Sequence, residues 1–484
     1  MRIYLAILVL FASACSDDFL ERAPLGQLTS DNFFTTEDHA VWATNAVYEQ
    51  MRSFDTHVFS YLALTDIISD DADKGSTPSD GSFLLEIDNF TFDPGNLTFG
   101  AVWKGYFRGV YRANLAIENI PNIPEMDEDL RARLIGECKF LRGYHYFNLV
   151  RWFGDVPLLT RPLGNDEYEQ PRAPVAEVYA QIVQDLTEAA EVLPPSYPPA
   201  DVGRITSGAA LGMLAKVQLT QQNWQAAAEA AEAVVNSGRY ALLDNYSDIF
   251  TEMGENSSES LFEVQAAGFE TGGGGTQFNE VQGVRGTPNL GWGFNRPSDD
   301  FVTSFEPGDP RREATILNVG EVLPDGSGVV QDNPNIFNER YNQKAFVVYP
   351  TPSNGNGPGN IRILRYADVL LIAAEALNEL GRSDEALIYL NQVRARARGM
   401  SNFILPDVTT TDPTELRERI YRERRAELGM EQHRWFDLVR TGRAAERMLV
   451  VGKENFTTGK HELMPLPQSE IDVSGGSLGQ NPGY

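Results

Sequence analysis

The chain has 484 residues, 42% hydrophobic and 22% charged, a balance that fits a folded globular protein and excludes a disordered or collagen-like one. Its 40 Lys and Arg against 68 Asp and Glu leave a formal net charge of −28, which repels nucleic acid and anionic lipid and favours neutral or cationic ligands. With 2 cysteines there is no disulfide framework.

At the start, Arg2 is the only charge before Asp17, Ile3 to Phe11 is an unbroken apolar run, and Ala12, Ser13 and Ala14 are small. That pattern describes an export signal. The run falls short of the roughly 20 apolar residues needed to span a bilayer. Ala12-Ser13-Ala14-Cys15 resembles a bacterial lipobox, in which the cysteine is lipidated and becomes the first mature residue. Thr35 and Asp38 suggest a capping box for a helix running to about Arg52, with Ala40, Ala43, Val47 and Met51 on its inner face. Residues 53–103 are rich in Gly, Pro, Asn, Asp and Thr and are expected to be irregular.

Residues 128–153 predict a long helix stopped near Gly154 and Pro157. Leu130, Leu134, Cys138, Leu141, His145 and Trp152 line one face of it, so Cys138 reads as a buried thiol and His145 as a core histidine. Residues 175–193 predict another helix, ended by Pro194-Pro195. Residues 207–237 and 364–398 each pair a small-residue-rich helix with a second across a short polar turn, as tetratricopeptide hairpins do. Between them, residues 253–360 carry "ETGGGGTQF", "GVRGTPNLGWGFNRP" and "YPTPSNGNGPGN", which have no helical period. Aromatics among them, Phe278, Trp292, Phe294, Phe337, Tyr341 and Tyr349, argue for order. Asp412-Pro413-Thr414-Glu415 starts a last long helix reaching about Gly429. The fold class is therefore mainly α, a tetratricopeptide-like scaffold of helical pairs backing an irregular, loop-rich lobe.

Motifs of catalysis are missing. There is no GxSxG and no HExxH, and the five histidines show no ligand spacing. "TGGGGT" lacks the Gly-Lys-Ser/Thr of a phosphate loop, and Asp71-Ala72-Asp73-Lys74-Gly75 lacks the later acids of a calcium loop. No metal or cofactor is expected, and nothing marks a specific catalytic pair, although the carboxylates are abundant enough to leave a glycosidase pair open. Arg422, Glu423, Arg424, Arg425, Glu427 and Glu431 alternate in sign and read as a scaffold of ion pairs rather than a basic partner site.

The same residues carry a signature. "ERIYRERRAELGMEQHRWFDLVRTGR" closely resembles the C-terminal motif of the SusD/RagB family of Bacteroidota surface lipoproteins. Four further stretches resemble the family in order: "CSDDFLERAPLGQLTSDNFF", "ECKFLRGYHYFNLVRWFGDVPLL", "RYADVLLIAAEALNELG" with "ALIYLNQVRARA", and "LMPLPQSEIDVSGGSLGQNPGY". The resemblance implies four tetratricopeptide-like helix pairs and an outer-membrane lipoprotein facing the cell exterior. It implies capture of an oligosaccharide for a SusC-like TonB-dependent transporter, without covalent chemistry. Capture of peptides or another non-sugar nutrient on the same scaffold is the alternative. A secreted glycoside hydrolase and a protein-binding adaptor stand behind it.

On this reading residues 1–14 are the signal peptide and 15–28 the lipidated N-terminus and linker. Residues 29–240 form the N-terminal region, 241–360 the ligand-binding insertion and 361–484 the C-terminal region. Cys15 is the lipid site, and Ser16, Asp17 and Asp18 resemble a surface-export tag. A sugar presents a C–H face to an aromatic ring and a rim of hydroxyls to polar groups. Three sets of ligand candidates fit: Trp292 with Phe294 and Asn295; Phe278 with Asn279; and Phe92 with Asn96, near Asp70 and Asp71. Trp103, Trp152, Trp224 and Trp435 read as structural.

Overall fold

The computed structural model describes residues 33–164, 166–267, 274–336, 338–347 and 357–484. Cys15, Ser16, Asp17, Asp18, Phe337 and Tyr349 lie outside the described residues.

Eight long helices form a stack of four pairs. They are α1 (Glu37–Met51) with α2 (Leu97–Asn119), α3 (Glu128–Phe153) with α4 (Val175–Val192), α5 (Ser207–Thr220) with α6 (Trp224–Asn236), and α7 (Tyr366–Glu379) with α8 (Ser383–Arg398). Each packs on the next along the series. Such a stack buries a continuous core that no single pair could close. A ninth helix, α9 (Pro413–Leu428), packs on α7 and α8.

Local chemistry explains the boundaries. Thr36 rather than Thr35 caps α1, accepting from the His39 amide. Asp127 caps α3 by accepting from the Leu130 amide, and Asp412 caps α9 by accepting from the Thr414 and Glu415 amides. From Leu134 onward α3 is buried almost all round, as the central helix of the stack must be. Trp152 is fully buried, and its indole N–H donates to the Leu64 carbonyl at 3.1 Å. Alanines fill the α5–α6 contact, with Ala209, Ala210, Ala227, Ala228 and Ala231 inaccessible, so the two backbones approach closely. Cys138 is buried beside Thr44, and burial pushes its thiol up to about 12.

Residues 53–103 are more regular than their composition suggests. They hold short helices at Phe54–His57, Phe59–Leu62 and Ser82–Asp88, a π-helical turn at Ala63–Ile67, and the first residues of α2. Gly100, Gly105 and Gly109 mask α2 in the sequence because glycine is a poor helix former. At Gly109 a Cβ would fall 2.2 Å from the buried His145 ring nitrogen, so glycine is what lets α2 close on α3.

Among the described residues, three two-stranded antiparallel ribbons order the irregular lobe and its junctions. Strand β1 (Ala72–Gly75) pairs with β3 (Phe294–Pro297), β2 (Ser260–Val264) with β6 (Ile361–Arg365), and β4 (Ile316–Asn318) with β5 (Arg340–Asn342). The β1–β3 pairing aligns Asp73 with Arg296 and Gly75 with Phe294, joining the early segment to the insertion.

Candidate functional site

Most of the expected ligand residues lie inside the protein. Phe92 is enclosed by Phe99, His461 and Tyr484, with ring centroids at 5.1, 5.4 and 6.1 Å. Asn96 caps α2 through the Thr98 amide and donates to Glu86 and the Phe83 carbonyl. Phe278 belongs to the main core, and Asn279 donates to the Ala345 carbonyl at 2.9 Å. Phe294 is buried edge-on against Phe59 at 4.9 Å. Asn295, Asp70 and Asp71 are also buried. Trp292 alone of the nine is partly exposed. An aromatic beside polar residues in a loop is as often the loop's anchor to the core as a platform for a ligand, and here the packing decides.

Asn295 sits in a buried polar knot. Its amide donates to Asp66 at 3.0 Å and to Gln282 at 2.9 Å; Asn342 also donates to Gln282, and Gln432 donates to Asp66 through its backbone and side chain. Three distant segments therefore meet at Asp66, and Asn342 joins the knot through Gln282. Burial, only partly offset by Gln432 and Asn295, holds the Asp66 carboxyl up at about 6. The unfolded chain gives up that proton near pH 4. The folded state thus keeps a stabilising proton that is fully present below about pH 4 and lost as pH rises through 6, worth about 3 kcal/mol. Denaturant titrations at pH 4 and pH 7 should show wild type losing about that much more stability than Asp66→Asn over this interval. Parallel losses in the two proteins would refute the assignment.

Asp70 and Asp71 belong to a second network. Asp70 accepts from Arg434 at 2.7 and 2.8 Å and from Arg447 at 2.8 Å, while Asp71 accepts from Arg425 at 2.7 Å. Burial alone would raise Asp70; Arg434, Arg425 and Arg447 outweigh it and hold the carboxyl well below the usual carboxylate range. A third network centres on Glu427 and Glu431. Glu427 accepts from Arg396, Arg365 and Arg311 at 2.5, 3.2 and 3.2 Å, and Glu431 from Arg365 and Lys344 at 2.6 and 2.8 Å. Glu427, Glu431, Arg311, Arg365 and Lys344 are buried, and the Arg396 side chain is 4% exposed. Glu423, Arg424, Arg425, Glu427 and Glu431 form the ion-pair scaffold expected of the C-terminal motif, while Arg422 is exposed and outside it.

The exposed chemistry collects beside β1 and β3. Phe54 is 38% exposed, and its ring lies 6.5 Å from Trp292 and 5.7 Å from Phe59. Phe59 supports Trp292 edge-on at 6.0 Å. The Trp292 backbone is held by the Glu280 carbonyl at 2.8 Å, and Asn338 ties the Gly293 carbonyl to the Ser76 amide. Arg285 reaches Ser76 and Asp80 at the edge. This is an aromatic shelf fixed by backbone contacts, with a guanidinium and a carboxylate at its rim. It can stack on a flat apolar face and bond to the polar groups around it. Sequence patterning missed Phe54, Phe59, Arg285 and Asp80; "RSFDTHVFSY" spaces two phenylalanines five residues apart across a helix break, which follows no simple period. Among the described residues, no three His, Cys, Asp or Glu side chains gather to hold a metal ion, and no helix is long and apolar enough to cross a membrane.

A family model described as "SusD family" matches residues 258–484, and one described as "Starch-binding associating with outer membrane" matches residues 23–219. Over its whole length the chain is 32% identical to SusD-like protein P2 of Formosa agariphila, covering 99% of that relative. The chain belongs to the SusD family. Among solved SusD-family structures, a laminarin-binding SusD-like protein superposes with a TM-score of 0.81 at 32% identity, over 93% of this chain and all of that one. Surface glycan-binding protein A of Bacteroides thetaiotaomicron, in complex with laminarihexaose, does so at 0.78 and 26%, over 92% of this chain and all of that one. The tetratricopeptide-like stack with its appended lobe is thus the SusD fold, and in this chain the motif from Glu418 to Arg443 knots the lobe to the helices.

Proposed function

We propose that this SusD-family protein captures an oligosaccharide on the Phe54–Trp292 shelf and delivers it to a SusC-like TonB-dependent transporter. The single observation that carries the reading is the shelf itself, two partly exposed rings locked by backbone contacts above a polar rim. An open shelf suits a polymer segment, which must run past its binding site at both ends. Laminarin-type chains are the preferred ligand, because the relatives named for laminarin and laminarihexaose share this fold. Cys15 carries the lipid anchor and Ser16, Asp17 and Asp18 direct the protein to the outer face of the outer membrane. A single acyl chain holds only marginally, so durable anchoring needs more than one. The protein catalyses nothing in this role.

Affinity electrophoresis against laminarin, starch, xylan and mannan, with product analysis, tests the reading. Retardation by at least one glycan without new reducing ends is expected. Released reducing ends would overturn the non-catalytic role, and retardation by none would overturn glycan capture.

A further inference from the structure

A polar cleft whose lining shares no residue with the shelf lies between the loop after α4 and the chain entering β2. It has a volume of about 440 Å³ and is walled by Tyr197, Tyr240, Arg239 and the serine-rich run Ser257–Ser260. Beside it lies a cavity of about 420 Å³ lined by Asn45, Tyr48 and Arg52 of the α1 side. Val202, Gly203, Arg204, Phe262 and Glu263 line both, so the two are halves of one groove that crosses Gly203. Gly203 has φ +95°, and a Cβ there would meet the Gln265 side chain at 2.4 Å. Only glycine keeps this saddle low.

The polar groups of the groove fall into two kinds. Some are already satisfied: Arg204 binds Glu137 and Asp201, Tyr240 shares a hydrogen bond with Thr206, and Glu263 accepts from Asn256 and Asn360. These fix the walls. Others have no partner among the described residues: the Ser257 hydroxyl, although buried, the Arg239 guanidinium, which is exposed, and the Ser196 and Ser260 hydroxyls. A buried hydroxyl without a partner costs free energy that a ligand can recover. The free groups are hydroxyls and one donor, with tyrosine rings beside them and no free carboxylate in the Tyr240 half. Such a set fits a neutral, hydroxyl-rich ligand, and a volume near 400 Å³ fits a short saccharide.

We propose that the groove across Gly203 is a second saccharide-binding site, with Arg239 and Ser257 bonding to ring hydroxyls and Tyr240 forming an apolar wall. The choice of a saccharide rests on the glycan reading above; the groove and its unpaired groups do not. Hydrogen-exchange mass spectrometry of the full mature protein, with laminarihexaose, maltohexaose and cellohexaose as probes, separates the two. Peptides covering 285–295 report the shelf, and those covering 238–241 and 256–263 report the groove. Slowed exchange in the groove peptides with at least one hexaose is expected, as is its loss in Val202→Trp and Arg239→Ala. Val202 is 51% exposed, so a tryptophan there fills the saddle without disturbing the core. Protection confined to 285–295, protection nowhere, or groove protection that survives both substitutions would overturn the proposal. Groove protection without protection at 285–295 would instead overturn the shelf and leave the groove standing.

Discussion

Glu427→Ala is expected to cost about 3–5 kcal/mol of folding stability, the usual toll for removing one member of a buried charge network. The glutamate is fully buried and accepts from three guanidiniums, on Arg311, Arg365 and Arg396. Burial by itself would raise its pKa, yet those cations outweigh it and keep the carboxyl low, so it is ionised at neutral pH. Without it, Arg396 keeps Glu259, Arg365 keeps Glu259 and Glu431, and Arg311 keeps Asp309 and Glu423. Each still loses one acceptor in a place water does not reach. Glu415→Ala is the control, because Glu415 and Arg419 form a half-exposed pair at 3.4 Å. A pair of that kind contributes at most about 1 kcal/mol. Urea denaturation of both variants decides the matter: equal small losses would show that the buried network is not what holds the lobe to the helices.

Phe54→Ala and Trp292→Ala should each weaken binding of the protein's glycan by about 2 kcal/mol, roughly 30-fold in Kd, as aromatic hot spots do. Phe54 is the cleaner test, since it is exposed and its loss leaves the core intact. Trp292 also braces Phe59, so part of its effect would come through the shelf's geometry. Phe403→Ala, equally aromatic and 97% exposed in the loop after α8, should change nothing. Isothermal titration with the tightest glycan from the electrophoresis gives the comparison. Undiminished affinity in the Phe54 and Trp292 variants together would remove the shelf as the binding surface.

Helices with strong punctuation are legible from the chain alone. Helix α3 runs from Glu128 to Phe153 as Asp127, Gly154 and Pro157 require, and α4 ends one residue before its expected stop. The α5–α6 and α7–α8 hairpins follow from their alanine spacing. The α1–α2 pairing is not legible, because its members are separated by residues 52–96 and α2 is diluted by glycine. Site residues are harder still. Phe92 and Phe278 share with Trp292 the pattern of an aromatic among polar neighbours, but which ring faces out depends on what packs behind it, and no local pattern encodes that. Phe54 comes to the shelf only because the β1–β3 pairing brings Trp292 to it across more than 230 positions of chain.

The long-range networks also set an order of events. Asp70 and Asp71 take their ion-pair partners from Arg425, Arg434 and Arg447, and Asp66 takes two of its three hydrogen bonds from Gln432. A chain is synthesised N-terminus first, so the early segment that floors the shelf waits with buried acids unneutralised until nearly the last helix has arrived. Contacts of such long sequence separation are slow to form. The protein therefore matures late and as a whole, and a chain cut short before Arg425 would carry every shelf residue yet lack the counter-charges that seat them.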